Sequence, residues 1–101
     1  MITKEFTPKK TICKVTFQLP SDWAESEVAL VGDFNEWDAT ANKLERKNGN
    51  WETTVRLKPG TESKFRYFID GQRWENDDQA DGYVTNEYGT QDSLLVVGEA
   101  Q

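Results

Sequence analysis

The sequence predicts an all-β fold, an immunoglobulin-like β-sandwich of about seven short antiparallel strands. Two observations carry that expectation. Apolar and polar residues alternate along several short runs, as in strands with one face turned to a core. Between the runs stand Pro20, Gly32-Asp33, Asn48-Gly49, Pro59-Gly60 and Asp70-Gly71, all residues that stop or turn a chain. No helical periodicity of useful length, no repeat and no low-complexity tract interrupts the pattern. A chain of 101 residues has room for one core only.

Taken in order, residues 1–10 (MITKEFTPKK) are polar and basic around Pro8 and read as a flexible lead-in. One domain is expected over residues 11–97, with a tail at 98–101. Cys13, Val15, Phe17 and Leu19 alternate with Lys14, Thr16 and Gln18, giving a half-buried strand that Pro20 stops. Cys13 stands on the apolar side and reads as a buried thiol. As the single cysteine it leaves no internal disulfide. Residues 21–26 turn and carry Trp23. Val28, Ala29, Leu30 and Val31 form an unbroken apolar run, a strand buried on both faces. Gly32 and Asp33 end it; together with Asn35 they should build a corner that Phe34 plugs from below. Trp37 is left over, because a turn has no ordinary use for an indole.

Residues 39–42 are loop and 43–46 a short strand, followed by Asn48-Gly49, a tight-hairpin signal. Trp51, Thr53, Val55 and Leu57 then share a face, which places Trp51 in the core. In the next strand Phe65, Tyr67 and Ile69 oppose Lys64, Arg66 and Phe68. Asp70-Gly71 turns the chain back through residues 72–75. Residues 76–82 read as a solvated acidic loop, 83–92 as irregular, and 93–97 as the last strand.

The totals narrow the chemistry. Twelve basic against eighteen acidic residues give a net charge of −6, which argues against nucleic acid and anionic membrane surfaces as partners. No apolar run reaches transmembrane length and the N-terminus lacks a signal-type apolar core, so a cytoplasmic location is expected. There is no histidine, which removes the commonest general base and the commonest metal ligand. The acidic segment beginning at Asp77 fails the calcium-loop template, with Gln79 at the third position and Tyr88 at the twelfth. Eighteen acids make some close carboxylate pair inevitable, so their number is no sign of glycoside hydrolysis. No catalytic residue, metal or cofactor is expected.

Several elements together carry a resemblance: Gly32-Asp33-Phe34-Asn35-Glu36-Trp37, then Gly49-Asn50-Trp51, then the run from Lys64 to Gly71, Trp74, and Tyr88-Gly89-Thr90. In this order and spacing the chain resembles the glycogen- and starch-binding modules of carbohydrate-binding family 48. Such modules precede the catalytic barrel of isoamylases and glucan branching enzymes and are similar to one in the β subunit of the AMP-activated protein kinase. The likeness runs from about Thr11 to Val97. A lone G-x-F-N-x-W is weak evidence; the ordered set is specific.

The resemblance implies non-catalytic binding of an α-1,4-glucan. Such a ligand is neutral, with apolar C–H faces and a hydroxyl rim, and is held by flat aromatic faces flanked by donors and acceptors. The tryptophan pair of the glycogen-binding members falls on Trp37 and Trp74, and their cationic position on Arg66. Tyr88 stands where the kinase module has leucine, Thr90 matches a family hydroxyl, and Asp92 replaces an asparagine. Two departures follow. Trp74 stands one residue further from the hairpin glycine than in the kinase module, and a one-residue step on a strand reverses the side chain's face. An ionised Asp92 keeps acceptors but lacks amide donors. Structural readings stand beside these: the two indoles as covers of the sandwich end, and Arg66 as a solvated strand-face charge or the partner of a nearby carboxylate. A different function is also open, a structural or protein-interaction module that docks to a glucan-metabolising enzyme without binding sugar. A monomer, or a weak dimer formed through a sheet edge, is expected.

Overall fold

A computed structural model describes residues 1–99; the last two residues of the expected tail lie outside the described residues. The strands are β1 (Ile2–Phe6), β2 (Cys13–Pro20), β3 (Val28–Gly32), β4 (Glu45–Lys47), β5 (Asn50–Leu57), β6 (Thr61–Ile69), β7 (Arg73–Glu75), β8 (Gly82–Thr85) and β9 (Gln91–Val97). They form two antiparallel sheets, β1-β2-β5-β4 and β3-β6-β9-β8, the layers of an immunoglobulin-like sandwich. β6 pairs β9 through Thr61–Phe65 and β7 through Tyr67–Ile69, while β3 occupies its opposite edge. β7 therefore continues the line of β9. Among the described residues, no helix is long and apolar enough to cross a membrane.

Alternation gives each sheet one dry face. Cys13, Val15, Phe17 and Leu19 of β2 and Trp51 of β5 meet Val28, Leu30, Phe65, Tyr67, Ile69, Leu95 and Val97 from the other sheet. Phe65 joins the layers edge-on, its centroid 5.3 Å from Phe17 and 5.8 Å from Tyr67. β3 is buried along its whole length, as its unbroken apolar run requires. Its free edge is covered by backbone: Leu30 N–H donates to Asn42 O, and Leu44 N–H to Val28 O.

Two segments differ from the sequence reading. The lead-in at 1–10 contains β1, which pairs with β2 from Ile2↔Phe17 to Phe6↔Cys13. Residues 83–92, read as irregular, contain most of β8 and the start of β9, paired from Gly82↔Leu94 to Thr85↔Gln91. Both β1 and β8 are edge strands, held by backbone pairing that requires little side-chain alternation. The acidic loop also differs in one respect: Asp77 is fully buried. Its carboxylate accepts from Tyr67 Oη at 2.6 Å and from Gln79 N–H at 2.7 Å.

The turn residues do what their chemistry predicts. Asn48 and Gly49, and again Asp70 and Gly71, all have positive φ, as tight hairpins of the primed type need. Asp70 has a second task. Its carboxylate accepts from the N–H groups of Glu25, Ser26 and Glu27 and from Ser26 Oγ, which ties the lead into β3 to the β6–β7 hairpin. These backbone donors favour the ionised form and hold the Asp70 carboxyl well below the usual carboxylate range. A depressed folded-state value means stability that is present above the unfolded value, near 3.8, and is lost as pH falls toward the folded one. Asp70→Asn, which tolerates the same positive φ, should lower the melting temperature at pH 7. The gap to the parent should shrink between about pH 4 and pH 2 in a thermal-melt series.

Candidate functional site

The corner after β3 is assembled by the residues of the G-D-F-N-E-W run. Gly32 pairs with Phe65 of β6 so closely that no side chain fits between them. Phe34 is half-buried against the core, its ring centroid 6.2 Å from that of Phe17. Asn35 staples the loop: its Oδ1 accepts from Gly32 N–H, and its Nδ2 donates to Leu30 O and Asn42 Oδ1. Asp33 works in two directions, accepting the Trp37 indole N–H at 2.9 Å and the Lys64 backbone N–H at 2.8 Å. Glu36 and Trp37 both adopt the left-handed region, with φ of 57° and 58°. Such conformations cost free energy in residues with a Cβ and persist only where the surroundings enforce them. Here they raise the indole out of the corner, its N–H committed to Asp33 and its ring 38 % exposed.

Trp74 reaches the same groove from β7. The additional residue before it is absorbed in the turn: Ile69 pairs with Arg73 across three residues, whereas Lys47 and Asn50 are separated by two. With Gln72 taken up in the loop, Trp74 lies opposite Phe68 on the outer face of β6, in phase with Arg66. Its ring sits 4.5 Å from the Phe68 ring and 5.8 Å from the Arg66 guanidinium carbon, and is 42 % exposed. Arg66 is half-buried; its Nε is shielded from solvent and has no hydrogen-bond partner among the described residues. It forms no ion pair with Asp92 among them.

Trp37, Arg66, Trp74, Tyr88 and Asp92 line one open groove of about 780 Å³ on the outer face of the β3-β6-β9-β8 sheet. Thr90 is not on its wall. It belongs to the β8–β9 turn, where its N–H and hydroxyl meet Asn86. Tyr88, at the tip of that turn, is 83 % exposed. Asp92 is almost fully buried and receives Asn86 Nδ2 at 3.2 Å.

Asn86 is a groove residue that sequence reasoning missed, with its chain neighbours Thr85 and Glu87. Its Oδ1 accepts from Tyr88 N–H and Thr90 N–H, and its Nδ2 donates to Thr90 Oγ1 as well as Asp92. One side chain thus sets the turn that carries Tyr88 and supplies Asp92 with an amide donor. Asp33 and Lys64 also face the groove. Asp33 was legible as a corner builder, and Lys64 stands in phase with Arg66; Asn86 carried no signal beyond a polar loop.

Fold and groove define the class: an immunoglobulin-like β-sandwich with aromatic walls on the outer face of one sheet. Residues 14–101 match the family described as the glycogen recognition site of AMP-activated protein kinase, and the chain belongs to that family of carbohydrate-binding modules. It is also similar to a 1,4-alpha-glucan-branching enzyme of Emericella nidulans, with 51 % identity over 43 residues. That match covers 40 % of this chain and 6 % of the enzyme's length.

Proposed function

We propose that the chain binds α-1,4-glucan of the glycogen or starch type, without catalysing a reaction on it and without a cofactor. The observation that carries this reading is the placement of two open indoles, Trp37 and Trp74, on one groove with Arg66 beside the second. Sugar rings lie with their C–H faces on the indoles, while Arg66 donates to hydroxyls and the Asp92 carboxylate accepts from them. The Asn86 amide at Asp92 offsets part of the cost of desolvating that carboxylate. Each stacked ring contributes about 1 kcal/mol and each exposed hydrogen bond a similar amount, which places affinity between micromolar and millimolar. A polymer with many chain ends makes such affinity useful. The likeness to a segment of a branching enzyme supports a second element of the reading: the module holds a cytoplasmic glucan-metabolising enzyme against its polymer, as part of it or by docking.

Tryptophan fluorescence titrated with glycogen and with a cyclic maltooligosaccharide tests the reading. A saturable change is expected, and Trp37→Ala combined with Trp74→Ala should abolish it with little loss of stability. Silence at millimolar ligand, or undiminished binding by the double variant, would sink the proposal. Indoles that merely cover the sandwich end would instead cost about 3 kcal/mol each on truncation.

A further inference from the structure

A second hollow adjoins the groove across Trp74. Arg66 and Trp74 wall both spaces; beyond them the second is bounded by Glu75, Asn76, Asp77, Asp78, Tyr83 and Gln91. Its volume, about 390 Å³, lies within the span of small-molecule sites. Three features suit it to a flat, neutral, hydroxylated ligand. Tyr83 is 44 % exposed, and its hydroxyl donates to Asp77 O at 2.6 Å, which fixes the ring in place. Gln91 is exposed, and its side-chain amide makes no hydrogen bond among the described residues, while Asn76 Nδ2 holds its carbonyl at 2.8 Å. Arg66, whose shielded Nε lacks an acceptor, forms part of the shared wall.

We propose that this hollow is a second glucan subsite: a chain leaving the first groove passes Trp74 and lays a further sugar ring against Tyr83. Gln91 offers both donor and acceptor to the ring's hydroxyls, and Glu75 accepts from them. This subsite rests on the reading that the first groove binds α-glucan. It makes Trp74 a ridge shared by two segments of one polymer rather than the end of the site. Affinity then continues to grow with chain length after the first groove is filled.

The test uses the whole chain labelled with 15N and titrated with maltotriose and with maltoheptaose. Both sugars should shift the indole N–H signals of Trp37 and Trp74, and only maltoheptaose should shift the Tyr83 and Gln91 amides. By calorimetry, Tyr83→Ala and Gln91→Ala should each weaken maltoheptaose binding by about two- to tenfold, as expected for one ring contact, and leave maltotriose binding unchanged. Tyr83→Phe, which loses the bond to Asp77 O but keeps the ring, should weaken maltoheptaose binding less than Tyr83→Ala does. Should Tyr83→Ala fail to fold, the signal shifts of the parent and Gln91→Ala decide. Unmoved Tyr83 and Gln91 signals under maltoheptaose, or equal length dependence in parent and variants, overturn the subsite and leave the groove reading standing. Unmoved Trp37 and Trp74 signals under both sugars overturn the groove reading itself, and the subsite with it.

Discussion

Gly32→Ala is expected to lower stability by about 3 kcal/mol, the upper part of the usual range for overpacking. The reason is space rather than backbone freedom, since Gly32 is extended, with φ −170°. A Cβ built there would lie 2.5 Å from Lys64 O, 2.8 Å from Phe65 Cβ and 3.1 Å from Phe34 Cζ. Two of these atoms belong to the β6 strand itself and cannot rotate away. Relief requires β3 and β6 to part at the position where Lys64 N–H meets Asp33. Because the other oxygen of Asp33 holds the Trp37 indole, the same movement carries Trp37 out of line. Stability and glucan affinity should therefore fall together in this variant. Urea unfolding should show a lower midpoint with an unchanged slope, and the fluorescence titration a weakened response. Gly98→Ala is the control: a Cβ there meets nothing within 4 Å, so stability should be unchanged.

The contrast between those two glycines shows what the sequence made legible and what it left hidden. Turn chemistry marked Gly32 as a stop, but only the packed structure shows Phe65 against it. Strands with one face in the core announced themselves, because burial of Phe17, Trp51, Phe65 and Tyr67 imposes alternation on their runs. β1 escaped because only its end residues, Ile2 and Phe6, touch the core; its middle is exposed. β8 escaped for a related reason: Tyr83 and Thr85, alternate residues of the strand, are both exposed. Backbone pairing at an edge leaves little trace in side-chain pattern.

The site divides along similar lines. An indole in a turn is conspicuous, so Trp37 stood out from composition and position alone. The facing of Trp74 was not legible, because it depends on whether Gln72 belongs to the turn or to the strand, and both assignments are compatible with Asp70-Gly71. Asn86 was hidden for another reason. Its role consists of several hydrogen bonds to a turn and to a distant carboxylate, and no spacing rule announces such a set. Asp77 likewise lies among acidic residues that are exposed, and burial alone separates it from them.

That buried carboxylate carries the other large effect. Tyr67→Phe is expected to cost about 2–3 kcal/mol at neutral pH, the range for a buried hydrogen bond to a charged group. Asp77 Oδ2 would lose the hydroxyl 2.6 Å away and find no water, because both residues are fully enclosed. Burial, and then the neighbouring Asp77 charge, push the Tyr67 phenol well above its ordinary value of 10.0. The sign of the pH dependence follows. Below the unfolded value both states hold the proton, and the hydroxyl's stabilisation is complete. Above it the unfolded chain ionises first, so stability falls with rising pH by up to about 1.4 kcal/mol per unit until the folded value is reached. The parent should lose this contribution above about pH 10, and Tyr67→Phe should not, so their urea midpoints converge in strong base. A parallel decline in both proteins would exclude Tyr67 as its source. The variant also reports on the site. Asp77 follows β7 and Trp74 in the chain, its backbone carbonyl holds Tyr83, and its N–H meets Ser93 Oγ next to Asp92. Loosening it frees the mounts of Trp74 and Tyr83 together, so maltoheptaose binding should weaken more than maltotriose binding.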